Sequence, residues 1–266
     1  MKTSIKIPFK ILIFFISWLT ISVLIPIPEG ISDALWRFIA ELIPFLAIVI
    51  LTYLFNRFEK ERLSIMHFEK PIKQALVGIL LGLIWFFIPF LLLSSLGYLE
   101  ITDKNYIDML SIWIVSTFIN TIMQELLVRG YIYRLLKREY NIMIATIAST
   151  LLFTLMHGGA FEAGPIAVIN VITMSLLITI ILEYSNSLLV PIIMHFIWNG
   201  LGGIIFGTVS LADDYPHLYN IEITGNSIIS GGSFKMEGSI FVFIINTIMI
   251  GISYYLYKKR EIAIYK

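Results

Sequence analysis

The chain has 266 residues, of which 58% are hydrophobic and only 14% charged, with a mean hydropathy of +0.88, well under the quarter or so charged that soluble domains carry. A net charge of +1 supplies no global basic field for nucleic acid, and the absence of cysteine removes disulfides, thiolate metal sites and a cysteine nucleophile. What is left is an integral membrane protein whose chemistry must use Ser, His, carboxylate or amide groups.

Apolar runs long enough to cross about 30 Å of hydrocarbon, around 20 residues each, fall at 9–26, 36–55, 74–97, 107–133, 142–157, 165–182, 187–206 and 238–257. The expected fold is therefore all-α and polytopic, with about eight transmembrane helices in a single membrane domain over 1–266. The first run follows a basic MKTSIKIPFK like a signal peptide, but no small-residue cleavage site follows it, so it is expected to stay as a helix. Residues 207–236 form the sizeable polar connection, expected to be a mobile Gly- and Ser-containing loop with a short hairpin.

Cations near helix ends mark the cytoplasmic side. Lys2, Lys6 and Lys10 precede the first run; Arg57, Lys60, Arg62, Lys70 and Lys73 follow the second; Arg134, Lys137 and Arg138 follow the fourth; Lys258, Lys259, Arg260 and Lys266 end the chain. The opposite loops hold Glu29, Asp33, Glu100, Asp103, Glu162, Asp213, Asp214 and Glu222, with only Arg37, Lys104 and Lys235 as cations. Both termini are thus expected in the cytoplasm, and the Ile- and Lys-rich composition points to a bacterial cell membrane.

Buried polar residues concentrate in helices four to seven, which form the expected catalytic core over about 107–206. At about 100° per residue, Thr117, Asn120, Thr121 and Gln124 share one stripe of helix four, while Glu125 and Arg129 occupy an adjoining face at i, i+4 and can pair. Phe153 and His157 are one turn apart before Gly158 and Gly159, which can end helix five and admit a close backbone approach; His195 and Asn199 share a face of helix seven. Each residue alone has a packing reading: an interhelical hydrogen bond for either histidine, a structural ion pair for Glu125 with Arg129, packing for Asn120 and Asn170, bulk for Phe153 and Trp198, and a membrane interface for Glu41 and Glu183. Together they suit hydrolysis, in which a carboxylate and an imidazole activate a water while a second imidazole and an amide stabilise an oxyanion. No Gly-x-Ser-x-Gly supports a serine hydrolase. Zinc on His157, His195 and Glu125 is the cofactor alternative, although no HExxH is present.

In order, Gln124-Glu125-Leu-Leu-Val-Arg129, Phe153 to His157 and His195 to Asn199 resemble the E-E-x-x-x-R, F-x-x-x-H and H-x-x-x-N/D motifs of the CAAX protease and bacteriocin-processing (CPBP, or Abi) family of intramembrane endopeptidases. The resemblance spans about 115–205. It implies that the first glutamate of motif one is the base, that His157 shares the water, and that His195 and Asn199 form the oxyanion hole; Arg129, Phe153 and, from the polar stripe, Asn120 are expected in support. Position 124 departs from the pattern, because an amide has no useful basicity near neutral pH. Glutamine there reads as an engineered, near-isosteric inactivation; the alternatives are a natural inactive variant or use of Glu125, which would need a helix rotation of about 100° or a π-bulge.

The expected function is an intramembrane endopeptidase acting on small membrane-associated peptides or precursors, such as bacteriocin, quorum-sensing or CAAX-like peptides. Its partners are membrane lipid and a peptide, with no nucleic acid. The competing reading is a non-catalytic immunity or scaffold protein that binds a peptide in the same cavity; a transporter is disfavoured because no inverted repeat is present.

Overall fold

The computed structural model describes residues 6–67, 69–209 and 215–264. Lys2, Lys266, Asp213 and Asp214, which entered the charge asymmetry, lie outside the described residues.

All eight apolar runs are helical. Six helices are long and apolar enough to cross a membrane: α1 (Lys6–Leu24), α2 (Asp33–Arg57), α3 (Pro71–Ser95), α4 (Leu110–Glu125) continued through α5 (Tyr133–Glu139), α8 (Pro165–Ser185) and α11 (Ile240–Ile264). The other two runs are shorter, α6 (Ile142–Met156) and α9 (Leu189–Asn199) with its continuation to Ile205. This is an all-α, multi-pass membrane protein. Helices dominate because hydrocarbon offers no partner for a backbone N–H or C=O, so each span must satisfy its own. Local signals set the ends: Ser32 caps α2 by accepting from the Leu35 N–H, Pro71 and Pro165 open α3 and α8 where a missing N–H costs nothing, and Asn186 closes α8 in a left-handed turn.

The chain divides into two compact units, Met1–Met66 with Asp108–Ser149 and His67–Ile107 with Thr150–Lys266. In the first, Phe14 of α1 packs against Phe55 and Tyr131, with ring centroids 5.1 and 4.8 Å apart. Trp18 donates its indole N–H to the Pro44 carbonyl of α2 at 3.1 Å. At one end of this unit Glu59 accepts from Lys10 Nζ at 2.7 Å, Tyr131 Oη at 2.6 Å and Arg138 Nη2 at 2.7 Å.

In the second unit α3 packs on α9 through two glycines. A Cβ at Gly78 would lie 2.8 Å from Ile193 Cβ, and one at Gly82 would lie 2.8 Å from Ile197 Cβ, so the four-residue spacing of small residues is what lets the helices approach. Trp85 of α3 stacks on Trp198 of α9 with centroids 4.3 Å apart and donates to Asn246 Oδ1 of α11 at 2.6 Å. Asn170 of α8 donates to the Glu237 and Ser239 carbonyls at 2.7 and 2.9 Å, the packing role expected of it.

The polar connection departs from expectation. Among the described residues its two ends meet in an isolated antiparallel bridge, Val209 opposite Lys235, and it contributes β2 (Tyr219–Ile223), which pairs antiparallel with β1 (Leu99–Lys104), Leu99 opposite Ile223 and Ile101 opposite Ile221. It also holds the short helix α10 (Ser227–Ser230). Pairing over this sequence separation leaves no local turn signal to read.

Candidate active site

Three of the four sequence-predicted residues of the first unit lie on α4, and Arg129 follows in its continuation. The polar stripe is real, and each hydroxyl on it is satisfied by its own helix: Thr117 donates to the Trp113 carbonyl at 3.1 Å and Thr121 to the Thr117 carbonyl at 2.9 Å. Gln124 Nε2 donates to Asn120 Oδ1 at 2.5 Å, and Asn120 Nδ2 donates to Glu41 Oε2 of α2 at 2.6 Å. Glu41 in turn forms an ion pair with Arg37, Oε1 to Nε 2.9 Å. The Oε1 of Gln124 is buried with no hydrogen-bond partner among the described residues.

Glu125 faces away from this stripe, as the helical angle requires. Both its oxygens accept from Arg129 Nη1 at 3.0 Å, and both side chains are fully buried. Immediately afterwards the helix widens into a π-helical turn, Leu126–Ile132, leaving helical geometry at Gly130 (φ −75°, ψ −106°). A π-bulge was the condition for moving Glu125 into the role of Gln124. The bulge exists, but it begins C-terminal to both residues; Glu125 itself keeps helical angles (φ −68°, ψ −37°) and stays on its own face.

The second unit gathers the other two motifs around one ring. Phe153 is fully buried, its centroid 4.1 Å from the His157 ring and 5.9 Å from the His195 ring. His157 lies just past the end of α6, and its Nδ1 is 2.7 Å from the Phe153 carbonyl. A carbonyl only accepts, so in the neutral imidazole the proton is on Nδ1 and Nε2 carries the lone pair, the form a general base needs. His195 is fully buried on α9, and Asn199 follows one turn later at the end of that helix, half-buried. Pro191 stands in the first turn of α9. Beyond Asn199 the backbone again becomes π-helical over Gly200–Ile205. A Cβ at Gly158 would meet nothing within 4 Å. That glycine serves the break between α6 and the short α7 (Gly159–Ala163).

The Glu125 carboxylate is committed to Arg129, and among the described residues no group of three His, Asp or Glu side chains could hold an ion.

Sequence reasoning did not assign Glu41 or Arg37 to the site. Glu41, read as an interface carboxylate, is buried and bonded to Asn120. The available signal was an Arg and a Glu at i, i+4 within an apolar helix.

Compared with known families, residues 106–201 match the model described as Type II CAAX prenyl endopeptidase Rce1-like, which is a CPBP family and a family of proteases. The matched segment contains all three motifs. No curated protein and no solved structure matches the chain.

Proposed function

We propose, from the premise that residues 106–201 carry a CPBP-type domain, that this protein acts on small membrane-associated peptides or peptide precursors within a bacterial cell membrane, with both termini in the cytoplasm. In this reading His157 takes the proton of the attacking water on Nε2, and His195 with Asn199 donates to the oxyanion that forms at the peptide carbonyl. Gln124 stands where the motif has its carboxylate base. Its Oε1 can accept a hydrogen bond and so hold a water or a peptide N–H, but it cannot take a proton. The chain as written is accordingly a slow or silent hydrolase.

The observation that carries this reading is the 2.7 Å contact of His157 Nδ1 with the Phe153 carbonyl, which in the neutral ring leaves the lone pair on Nε2 of an imidazole packed on the same phenylalanine as His195. The test is cleavage of candidate precursor peptides in proteoliposomes, followed by mass spectrometry. Gln124→Glu should raise the rate by about 10²-fold, the lower end of what a positioned base contributes, and His157→Ala in that background should return it to the blank. Equal rates with and without His157 would sink the assignment.

The missing basicity at position 124 also favours a second reading, a non-catalytic immunity or scaffold protein that binds a peptide. There, His157→Ala would leave peptide binding and protection intact, and Gln124→Glu would produce no cleavage.

A further inference from the structure

Asparagine is a directional link. Its side chain offers donors at one end and an acceptor at the other, so whatever fixes one end dictates what the other end requires. Here the donor end of Asn120 is fixed by the Glu41 carboxylate, at 2.6 Å, and Glu41 is held in turn by the Arg37 guanidinium at 2.9 Å. The Oδ1 of Asn120 is therefore turned toward position 124, where it demands a donor, and Gln124 supplies one at 2.5 Å. Since Gln124 spends its Nε2 inward, the atom it has left to offer is Oε1, buried with no hydrogen-bond partner among the described residues.

We propose that Arg37, Glu41 and Asn120 are positioning residues that fix the orientation of the side chain at 124, and that the order of donors and acceptors along this chain is built for glutamine there. A carboxylate at 124 would oppose Asn120 Oδ1, acceptor against acceptor. Flipping the Asn120 amide would only transfer that opposition to Glu41. With the Asn120 amide held in this orientation and carboxylates at both 41 and 124, Nδ2 serves Glu41 and Oδ1 opposes the carboxylate at 124. The order reverses cleanly only if 41 becomes an amide: Arg37 then pairs with its oxygen, its nitrogen donates to Asn120 Oδ1, and Asn120 Nδ2 donates to a carboxylate at 124. Glutamine at 124 thus fits this chain as a native residue with a matched partner set rather than as an isolated replacement of a base.

This deepens the proposed function, and its test separates the two. Gln74 and Gln124 are the two glutamines of the chain, so the full-length protein with glutamine side-chain amides labelled with 15N gives two NH2 signals in a membrane mimetic. Gln124 is assigned by its loss in Gln124→Glu, and Gln74, which donates to the His67 carbonyl, is the internal control. Both Glu41→Gln, which is close to isosteric, and Asn120→Leu should shift the Gln124 signal and speed its exchange with water while leaving Gln74 in place. A Gln124 signal unmoved in the two variants overturns the proposal. In the cleavage assay, Glu41→Gln combined with Gln124→Glu should exceed Gln124→Glu alone by at least about tenfold in kcat with KM unchanged, the scale of one hydrogen bond to a charged group. Equal kcat in the two overturns the polarity argument. Absence of cleavage in every variant counts against the endopeptidase reading, and the NH2 signals then decide the positioning role by themselves.

Discussion

Helices α4 and α9 carry the first and third motifs, and each widens into a π-helical turn directly after its motif begins or ends, yet they are held by opposite means. The polar groups of α4 are fixed by bonds: Gln124 to Asn120 to Glu41, and Glu125 to Arg129. In contrast, α9 is fixed by fit, with Trp198 stacked on Trp85, Ile193 and Ile197 against two glycines of α3, and His195 beside Phe153. A bonded array fails when one partner is removed, because the other remains buried and unsatisfied. A packed face fails when a volume changes in either direction.

The largest predicted effect tests the bonded side. Arg129→Met removes the Nη1 donor shared by both Glu125 oxygens, and removing one member of a buried pair costs about 3 to 5 kcal/mol. Thermal unfolding in detergent should show a severe loss for that variant, and a large part of it should return when Glu125→Gln is added. If the double variant is as unstable as the single, the pair is not the stabilising unit described here.

Next comes the packed side. Gly82→Val places a side chain where even a Cβ lies 2.8 Å from Ile197 Cβ, so α3 and α9 must separate, at about 1 to 3 kcal/mol. Gly251→Ala on α11 is the control, since a Cβ there meets nothing within 4 Å. A melting temperature lowered equally by both would remove close packing as the explanation. Within the same interface, Trp198→Phe should cost less, about 1 kcal/mol of ring stacking with Trp85 beyond the lost area.

The same contrast explains what could be read in the sequence. Hydropathy exposed all eight helices because a span must be continuous and apolar. The pairing of Glu125 with Arg129 was legible because i, i+4 geometry is local, and so was the polar stripe from Thr117 to Gln124. Glu41 was placed at a membrane interface because its partner, Asn120, lies 79 residues away, and no pattern within α2 names it. The β1–β2 pairing was hidden for the same reason. Gly78 and Gly82 did carry a local signal, a small-residue spacing in an apolar helix, which became meaningful once α9 was seen against them. The two π-helical turns have no composition that distinguishes them from the helix before.

The smallest effect at neutral pH, and the most selective, concerns the other bonded array of the first unit. Burial by itself would raise the Glu59 carboxyl, but hydrogen bonds from Lys10, Tyr131 and Arg138 outweigh it and hold the group below its ordinary value of 4.5. A carboxylate depressed in the folded state binds fewer protons there than in the unfolded chain, so its contribution to stability is fully present above about 4.5 and is lost as pH falls through the depressed value. Melting temperatures of the protein and of Glu59→Gln, followed from about pH 7 to about pH 3, should therefore differ by a constant amount at the upper end and converge at the lower. A difference that persists unchanged to the acid limit would show that Glu59→Gln acts through lost packing, and that this end of the unit belongs with α9 among the packed regions rather than with α4.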